Sequence, residues 1–441
     1  MSARIILQPA ASLIDQPVHI VLTGFAPATQ VTVTASSTTN DGNTWKSRAV
    51  FLTDDQGKID VATTAPVEGD YAGIDGQGLI WSQQLQGAGL APAIGAQASQ
   101  PISTVFKAID ASGAQAQATL SQSFSAPGVV RTELNQDGLV GALYTPASKG
   151  PHPAIVYLNG SGGGVNEARA ALLASHGYAA LALGYFGAPG LPSHISATPL
   201  EYFERALTWL RDTVGPADGF IAVSGQSRGG ELSLLLASTF SDLVSAVVAY
   251  VPSPVVHGVL AAGKPGESRY APAWTHKGRA LATIWDNNTQ TESWARVDQS
   301  AEPRRQAQPF VDAQSNTEAF KAARIPVERI RGPVLLISGG DDGYWPSSAY
   351  ADNVAEQLRA HKHPHAVEHA AYPKAGHSIA APHVPTTQIA RAHAVSGVVL
   401  TAGGTPAANA HANSDSWARV LKFLDAAVKS HQPASQAQSV V

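Results

Sequence analysis

Apolar and polar residues alternate in short segments along the first part of the chain. The clearest segments are residues 18–22, 31–35, 103–109 and 116–124, with turn-forming residues between them. Successive side chains of a strand point to opposite faces, so a period of two predicts strands with one buried face. Regular short strands divided by turns predict a small all-β sandwich domain over residues 1–126.

Beyond residue 127 the pattern changes to continuous apolar runs separated by segments of helical period. Residues 154–158 and 179–183 are apolar throughout, which is typical of strands buried on both faces of a parallel sheet. Between them, residues 166–176 carry the pattern of a helix that ends at a glycine. The alternation of strand and helix predicts a doubly wound α/β domain over residues 127–441.

The periodic pattern is lost between about residues 252 and 327. Trp274, Trp285 and Trp294 lie there among Pro, Gly and charged residues. Because long segments without a sustained period are uncommon inside compact domains, this stretch predicts an irregular insertion. Two interpretations stay open: a lid or acyl pocket beside a functional site, or a packed excursion of the chain.

The strongest chemical signal is the pentapeptide Gly225-Gln226-Ser227-Arg228-Gly229. A run of strand-forming residues precedes it, and an apolar pattern of helical period follows it. In a nucleophile elbow, glycines let the strand and the helix approach closely, and the sharp turn exposes the serine hydroxyl. We therefore predict Ser227 as a nucleophile and the backbone N–H of Arg228 as a donor to the oxyanion. A chance match in a chain rich in glycine and alanine is the competing interpretation.

A second glycine-rich segment, residues 159–164, follows the apolar run 154–158. Its glycines let the backbone curl, so the N–H of Ser161 is predicted as a second donor to the same oxyanion. The competing interpretation is a loop that binds phosphate. The segment lacks the G-x-x-x-x-G-K-[ST] pattern, however, and no acidic residue is suitably placed for a dinucleotide ribose.

An acid and a base follow later strands. The apolar run 334–337 leads into Asp341 and Asp342, and His377 follows a later predicted strand and a glycine. In a serine hydrolase the base takes the serine proton, and the acid holds the base in the required tautomer. We predict Asp342 as the acid, with Asp341 as the alternative, and His377 as the base. The chain has 15 histidines, and the position of His377 after a predicted strand, with the acid one strand earlier, favours this one.

Composition narrows the class of protein. Apolar residues make up 44% of the 441 positions and charged residues 14%, which describes a globular chain with ample core. The formal net charge of -4 gives no electrostatic basis for binding nucleic acid or an anionic membrane surface. The absence of cysteine excludes disulfides, thiolate metal sites and a cysteine nucleophile.

Neither a metal nor a cofactor is expected. His361, His363 and His365 alternate along the chain, but no carboxylate cluster accompanies them, and Pro364 interrupts regular geometry. No apolar stretch reaches transmembrane length, and the apolar run at the N-terminus is too short for a signal peptide. These features predict a cytoplasmic protein, and they carry no prediction of its oligomeric state.

The motifs together resemble those of the acyl-CoA thioesterase and bile acid-CoA:amino acid N-acyltransferase family. The resemblance covers nearly the whole chain, and it implies an α/β-hydrolase fold behind an N-terminal β-sandwich. The catalytic triad of the family matches Ser227, Asp342 and His377. The motifs that carry the resemblance are the glycine-rich loops 73–81 and 160–164, the segments 167–170 and 172–178, the Ser227 elbow, Gly340-Asp341-Asp342 with Trp345, Gly376-His377 and residues 403–406.

The resemblance implies acyl-CoA substrates, an acyl-enzyme intermediate and a place in lipid metabolism. The amino-acid transferases of the family use cysteine as nucleophile, so Ser227 favours water as acceptor and the hydrolysis of acyl-CoA to free acid and CoA. One departure is that no cluster of Lys and Arg marks a site for the CoA phosphates.

Two alternatives to a thioesterase stay open. One is a carboxylesterase or peptidase that acts on non-CoA substrates with the same triad. The other is a non-catalytic binding protein in which the sandwich binds the ligand. For either enzyme the expected partner is a small-molecule thioester or ester, and no nucleic acid.

Overall fold

Two β-sheets near the N-terminus share one core. The computed structural model describes residues 2–39, 42–87, 89–90 and 100–431. The strands here are β1 (Arg4–Gln8), β2 (Ala11–Leu13), β3 (His19–Thr23), β4 (Gln30–Thr38), β5 (Thr44–Leu52), β6 (Ile59–Asp60), β7 (Glu68–Gly69), β8 (Gln84–Leu85), β9 (Ile102–Asp110) and β10 (Gln115–Ser123). One sheet has the order β1-β3-β6; the other has the order β2-β10-β9-β4-β5-β7, with β8 also paired to β5.

The alternating sequence decides which face of each strand is buried. Val31, Val33 and Ala35 of β4 are fully buried, and they share a core with Ile20 and Leu22 of β3. The residues between them on β4 are partly exposed, as the period of two requires. The predicted β-sandwich is therefore confirmed.

A short helix, α1 (Gly78–Trp81), closes the sandwich core. Leu79, Ile80 and Trp81 are all buried within that core, and the Trp81 ring packs edge-on against Tyr71. The Trp81 indole N–H donates to Asp75 Oδ2 at 2.8 Å, so its polar edge is also satisfied. The glycine-rich loop 73–81 thus has a packing role in the sandwich.

Two later segments of the chain belong to the same compact unit as the sandwich. The backbone N–H of Thr386 donates to the Trp81 carbonyl at 3.0 Å, and the Trp417 indole donates to Asp15 Oδ2 at 2.8 Å. The predicted domain 1–126 is the first of the three segments of this unit. The unit comprises the chain up to Ala126, Ala380–Ile389 and Thr405–Trp417.

A second unit is built on an eight-stranded sheet. Its strands are β11 (Val130–Gln136), β12 (Leu139–Thr145), β13 (Ala154–Leu158), β14 (Ala179–Gly184), β16 (Ile221–Gln226), β17 (Ala246–Tyr250), β20 (Val334–Gly339) and β21 (Val367–Tyr372). Their order is β11-β12-β14-β13-β16-β17-β20-β21. The first two strands form an antiparallel hairpin, and all pairings from β14 to β21 are parallel. Strands β13, β14 and β17 are buried along their whole length, because helices cover the sheet.

Helices connect these strands. They are α2 (Glu167–Ser175), α3 (Leu200–Trp209), which a π-helical turn (Leu210–Val214) continues, α4 (Arg228–Thr239) and α8 (Ser347–Ala360). The last helix, α9 (Pro406–Ser430), follows all the strands; its residues up to Trp417 belong to the first unit and the rest to the second. Helix α2 packs on β12 and β14, α4 packs on β16 and β17, and α8 packs on β20 and β21. The predicted doubly wound α/β arrangement behind a β-sandwich is thereby confirmed.

The segment predicted as an irregular insertion contains short regular elements. Its aromatic side chains Trp285, Trp294 and Phe310 are buried in a small core of their own. Elements this short carry no readable period, which is why the sequence pattern is lost there. They are β18 (Trp274–His276) and β19 (Arg279–Ala280), which extend a small sheet begun by β15 (Thr198–Pro199), and α5 (Ser293–Gln299), α6 (Ala307–Ala313) and α7 (Thr317–Ala323).

A hairpin near the C-terminus completes the second unit. It consists of β22 (Ala390–Ala392) and β23 (Val399–Thr401), paired antiparallel. In the part of the chain that the structure describes, no helix combines the length and the apolar character needed to cross a membrane.

Replacement of Leu79 by Ala tests the role of α1. The side chain is fully buried in the sandwich core, so its truncation is expected to lower the free energy of unfolding by about 2–5 kcal/mol. Ile74, which is 63% exposed in the same loop, provides the control, and Ile74→Ala should change stability by less than about 0.5 kcal/mol. Urea unfolding of both variants makes the comparison, and equal losses would contradict the assigned packing role.

Candidate active site

Parallel pairing brings the ends of several strands to one edge of the sheet. Leu158 at the end of β13 pairs with Gly225, and Gln226 at the end of β16 pairs with Tyr250. At the other side, Gly339 at the end of β20 pairs with Tyr372 at the end of β21. The segments that follow these strands carry all five residues of the predicted site, and ligands of open α/β sheets bind at this edge.

Ser227 occupies a strained turn between β16 and α4. Its φ of 60° and ψ of -120° lie in a region that residues with a side chain rarely adopt. Its N–H donates to the Tyr250 carbonyl at 2.9 Å, which fixes the turn. A side chain on Gly225 would overlap the backbone of Gly229, and one on Gly229 would overlap the Leu158 carbonyl. The glycines of the motif are therefore required by the close approach of strand and helix, and this geometry is that of a nucleophile elbow.

The loop after β13 lies against the same turn. A Cβ added to Gly160 would stand 3.4 Å from the Cβ of Ser227. The Asn159 side chain braces this loop, because its Oδ1 accepts the Gly160 N–H at 3.0 Å and its Nδ2 donates to the Gly163 carbonyl. Among the described residues, no acceptor meets the backbone N–H of Ser161 or of Arg228. Both donors are thus available to a ligand.

Asp342 and His377 form a buried hydrogen-bonded pair. His377 Nδ1 lies 2.8 Å from Asp342 Oδ2, and each residue is only 4% exposed. The backbone N–H groups of Tyr344 and Trp345 donate to Asp342 Oδ1 at 2.8 and 3.2 Å, which fixes the carboxylate. The Tyr344 ring stacks on the His377 imidazole with centroids 4.4 Å apart. Burial raises the pKa of Tyr344 to about 12, so its phenol stays neutral beside the pair.

Asp341, the alternative acid, makes different contacts. Its Oδ1 accepts from Arg305 Nη2 at 2.8 Å, and its Oδ2 accepts the Gly404 N–H at 2.9 Å. The side chain is about half exposed and does not pair with His377. Of the two aspartates, the structure pairs the predicted acid, Asp342, with the predicted base.

The hydrogen bond to Asp342 decides the tautomer of His377. Because Nδ1 donates to the carboxylate, Nε2 is the unprotonated nitrogen and can accept a proton. This Nε2 is buried and has no hydrogen-bond partner among the described residues, so it makes no hydrogen bond to Ser227 in this structure. The two segments are nevertheless tied together, since Gln226 Nε2 donates to the His377 carbonyl at 3.0 Å. Catalytic hydrogen bonds are often long in unliganded enzymes and tighten when substrate binds.

A pocket at Ser227 opens next to a larger cavity. The pocket has a volume of about 30 Å³ and is lined by Ser161, Ser227, Tyr344 and other residues of the second unit. The neighbouring cavity has about 250 Å³. The two share Leu260, Ala261, Gln306 and Leu400 in their walls.

The walls of the larger cavity combine apolar side chains with charged and polar ones. Trp294 and Val297 contribute apolar surface, and Arg269 and Arg304 contribute cations. Arg269 pairs with Asp298 at 2.6 Å and lies over the Trp294 ring. The sequence alone did not reveal that these arginines line one cavity, because they are distant along the chain.

A buried ion pair at the start of α4 was not predicted from the sequence. Arg228 Nη1 lies 3.0 Å from Glu231 Oε1, and both side chains are almost completely buried. Arg228 Nη2 also donates to the Gly258 carbonyl at 2.6 Å, and Trp274 Nε1 donates to Glu231 Oε1 at 3.0 Å. Burial raises the pKa of Glu231, and the Arg228 charge opposes that rise. The spacing of three positions on a predicted helix was the available signal.

His393 was also missed. It lies between β22 and β23, and its Nε2 is 3.0 Å from Ser161 Oγ. Both residues line the Ser227 pocket. Burial, with a smaller contribution from the Arg228 charge, lowers the pKa of His393 to about 4. No local pattern marks this histidine, because its partner lies more than 200 positions earlier.

The histidines at the end of α8, for which no metal site was predicted, contact neighbouring groups. His363 Nε2 lies 3.0 Å from the Gly332 carbonyl, and the His363 and His365 rings contact each other. Among the described residues, no group of three or more His, Asp or Glu side chains is arranged to hold a metal ion.

The sheet and the elbow define the class of the fold. A mostly parallel eight-stranded sheet, with a serine on a strained turn between strand and helix, is an α/β-hydrolase fold. The chain belongs to the acyl-CoA thioester hydrolase/BAAT family, as its resemblance implied. The family model described as "BAAT / Acyl-CoA thioester hydrolase C terminal" matches residues 198–430, and the model of the "Acyl-CoA thioester hydrolase/BAAT N-terminal region" matches residues 15–136.

Similar proteins match along nearly the whole chain. "Acyl-coenzyme A thioesterase 1" of Mus musculus is 30% identical over 96% of this chain and 96% of its own length. "Acyl-coenzyme A thioesterase 2, mitochondrial" of Homo sapiens is 30% identical over 98% of this chain and 86% of its own length.

Solved structures are more distant. The acylaminoacyl peptidase of Pyrococcus horikoshii is 14% identical with a TM-score of 0.43, over 95% of this chain and 61% of that one. An α/β-hydrolase from a deep-sea metagenome is 18% identical with a TM-score of 0.35, over 58% of this chain and 85% of that one. TM-scores below 0.5 are too low to transfer structural detail to this chain.

Removal of Glu231 is expected to destabilise the second unit. Glu231→Leu leaves the Arg228 charge buried without its carboxylate, which costs about 3–5 kcal/mol. The double variant Arg228→Met with Glu231→Leu removes both charges and should recover most of that loss. Asp425→Ala, in the exposed pair with Lys429, is the control and should produce no measurable change in urea unfolding. A double variant as unstable as the single one would contradict this account.

Acid should weaken the fold partly through His393. Its pKa is about 4 in the native state and about 6.5 in the unfolded chain, so between these values the unfolded state binds the extra proton. Stability contributed by the neutral imidazole is therefore present above pH 6.5 and is lost as the pH falls, by about 1.4 kcal/mol per pH unit. We expect His393→Gln to lose about 2 kcal/mol less than the wild type between pH 7 and pH 5. Urea unfolding at the two pH values measures this difference, and equal losses would contradict the burial of a neutral His393.

Proposed function

We propose that the protein is a serine hydrolase that cleaves acyl-CoA thioesters to free acid and CoA through an acyl-enzyme intermediate. The observation that carries the proposal is Ser227 on its strained turn, beside the Asp342–His377 pair at the neighbouring strand ends. Relatives named acyl-coenzyme A thioesterases, 30% identical along the chain, support a thioester as the bond that is cleaved. Hydrolase activity also agrees with the class of the fold.

The first step is attack on the thioester carbonyl. His377 Nε2 takes the proton of Ser227 Oγ as the oxygen bonds to the carbonyl carbon. The carbonyl oxygen becomes an oxyanion, and the N–H groups of Ser161 and Arg228 stabilise it, since neither group has an acceptor among the described residues. Asp342 stabilises the imidazolium that forms, and its own charge is held by the Tyr344 and Trp345 N–H groups.

The second step expels CoA. The tetrahedral intermediate collapses, the carbon–sulfur bond breaks, and the sulfur leaves with the electron pair of that bond. His377 Nε2 gives its proton to the departing thiolate, which yields the free thiol of CoA. A thiol has a pKa near 8.5, so the thiolate is a better leaving group than an alkoxide and needs little further assistance.

Hydrolysis of the acyl-enzyme repeats the same chemistry with water. His377 removes a proton from water, the water oxygen bonds to the acyl carbon, and the same two N–H groups hold the new oxyanion. Collapse releases the acid and returns the proton to Ser227 Oγ. A serine at this position, where the amino-acid transferases of the family use cysteine, supports water as the acceptor.

The cavity next to the Ser227 pocket is where we place the acyl group. It shares Leu260, Ala261 and Leu400 with the pocket, so an acyl chain on Ser227 would pass directly into it. Its volume of about 250 Å³ is below the roughly 300–1,000 Å³ of sites that enclose a drug-sized ligand. The cavity therefore suits the acyl part of the substrate, and the much larger CoA would remain outside it.

We also propose a domain division and a cellular location for the protein, as the sequence predicts. The division of the chain into a sandwich domain at 1–126 and a catalytic domain at 127–441 is one of them. A cytoplasmic location is the other, and one of the relatives carries "mitochondrial" in its name.

Replacement of Ser227 tests the mechanism. Ser227→Ala should lower kcat for acyl-CoA hydrolysis at least about 1,000-fold, because it removes the nucleophile. Ser238→Ala on the same helix is the matched control, since its hydroxyl only donates to the Leu235 carbonyl, and it should retain activity. Free-thiol release from acyl-CoAs of increasing chain length, measured beside oxygen esters of the same acids, tests the substrate.

The outcomes of that panel separate the alternatives. Faster turnover of the thioesters would support the proposal, and activity confined to oxygen esters or amides would identify an esterase or peptidase instead. A fluorophosphonate probe that fails to label Ser227, together with no turnover of any substrate, would identify a binding protein without catalysis. A Ser227→Ala variant with most of its activity would overturn the assigned nucleophile.

A further inference from the structure

A serine–histidine contact that does not involve Ser227 lies in the same pocket as Ser227. Ser161 and His393 both line this pocket, and His393 Nε2 lies 3.0 Å from Ser161 Oγ. The mechanism above uses only the backbone N–H of Ser161 and makes no use of His393. The chemical meaning of the contact depends on which group donates the hydrogen.

The backbone around His393 decides the polarity of this contact. The N–H groups of Val395 and Ser396 both point at His393 Nδ1, at 3.3 Å each. Since an N–H can only donate, Nδ1 must be the unprotonated acceptor, and in a neutral imidazole the hydrogen then lies on Nε2. The lowered pKa of His393, about 4, agrees with a neutral ring at the pH of most assays. His393 Nε2–H therefore donates to Ser161 Oγ.

His377 and His393 thus have opposite polarity. His377 donates from Nδ1 to Asp342, so its Nε2 can accept a proton from a serine. His393 accepts at Nδ1, so its Nε2 already carries hydrogen and cannot take a proton from Ser161. The contact therefore does not create a second nucleophile.

The same contact directs the hydroxyl hydrogen of Ser161. Its oxygen accepts from His393, so its own hydrogen must point to another acceptor. No acceptor for that hydrogen is found among the described residues, and Ser161 is one of the walls of the Ser227 pocket. The hydroxyl is therefore free to donate to a group bound in that pocket, where the proposed oxyanion would form.

We propose that the Ser161 hydroxyl is a third hydrogen-bond donor to the oxyanion and that His393 is the positioning residue that orients it. This inference rests on the proposed function, because it takes Ser227 as the nucleophile. The hydroxyl keeps its hydrogen throughout the reaction, so no proton is transferred through His393. His393, which orients the Ser161 hydroxyl, thus comes from a hairpin more than 200 positions further along the chain.

A purely structural role for His393 makes a different prediction. Ala394, the residue after His393, lies close to the glycine-rich segment 159–164, since a Cβ added to Gly162 would stand 3.7 Å from the Ala394 Cβ. If His393 only packed the hairpin, its removal would loosen the loop and weaken substrate binding along with turnover. If it orients a donor to the oxyanion, its removal lowers kcat while KM stays nearly constant, because the interaction exists only in the transition state.

Four variants of the full-length protein test the proposal with the preferred thioester. Ser161→Ala, which keeps the backbone N–H, and His393→Leu should each lower kcat about 10–100-fold, with KM changed less than about 3-fold. His393→Gln places an amide N–H near the position of Nε2 and should recover kcat to within about 5-fold of the wild type. The double variant Ser161→Ala with His393→Leu should be no slower than Ser161→Ala alone, because both changes remove one interaction. His361→Leu at the exposed end of α8 is the control and should retain full activity.

Three results would overturn the proposal. One is a His393→Leu variant with wild-type kcat. Another is a double variant whose loss is the product of the two single losses, since the residues would then act independently. The third is a fluorophosphonate probe that labels Ser161 in the Ser227→Ala background, since Ser161 would then be a nucleophile.

Failure of the proposed function gives a different result. Retained activity in Ser227→Ala would overturn both proposals, because the nucleophile would lie elsewhere. Loss of activity in Ser227→Ala with full activity in His393→Leu would overturn only the role of His393.

Discussion

The close approach of β16, α4 and the loop after β13 is the constraint on which the site depends. No side chain fits at Gly229, because its α-carbon lies against the Leu158 and Asn159 carbonyls. The same approach holds Ser227 in its strained conformation, and it places Arg228 at the edge of the sheet where β16 ends. Strain of this kind persists only where the surrounding structure over-determines it. Here the Ser227 N–H bond to Tyr250 and the packing of α4 on β16 and β17 supply that support.

Arg228 connects this elbow to the inserted segment. In the described part of the chain its backbone N–H has no acceptor, while its side chain is buried and binds Glu231 and the Gly258 carbonyl. Glu231 in turn accepts hydrogen bonds from the His257 N–H and from the Trp274 indole in β18, so one carboxylate contacts both the elbow and the inserted segment. His257 is fully buried, and its ring contacts the rings of Trp285, Phe310, Trp345 and Tyr350. The backbone N–H of Trp345 in turn donates to Asp342. The insertion is therefore part of the structure that holds the site, which the loss of periodicity did not reveal.

Local patterns in the sequence were sufficient where a residue follows a strand directly. Ser227 follows β16 directly, and Asp342 and His377 follow β20 and β21 within a few residues, so the predicted strands place all three at one edge of the sheet. Choosing between Asp341 and Asp342 needed the structure, because only the bonds to Arg305, Gly404 and His377 distinguish them.

Contacts between distant residues were beyond the sequence. His393 meets Ser161 across 232 positions, and neither residue lies in a recognisable motif with the other. Helices of seven residues, such as α5 and α6, span about two turns and give no measurable period.

Synthesis of the sandwich strands does not complete the unit to which they belong. The sandwich strands emerge first from the ribosome, yet their unit also contains Ala380–Ile389 and Thr405–Trp417. Asp15 accepts a hydrogen bond from the Trp417 indole, 402 positions later, and the Trp81 carbonyl accepts one from the Thr386 N–H. Contacts of such separation form late and slow folding. The first unit therefore stays incomplete until Trp417 has been translated, when most of the second unit has already been made.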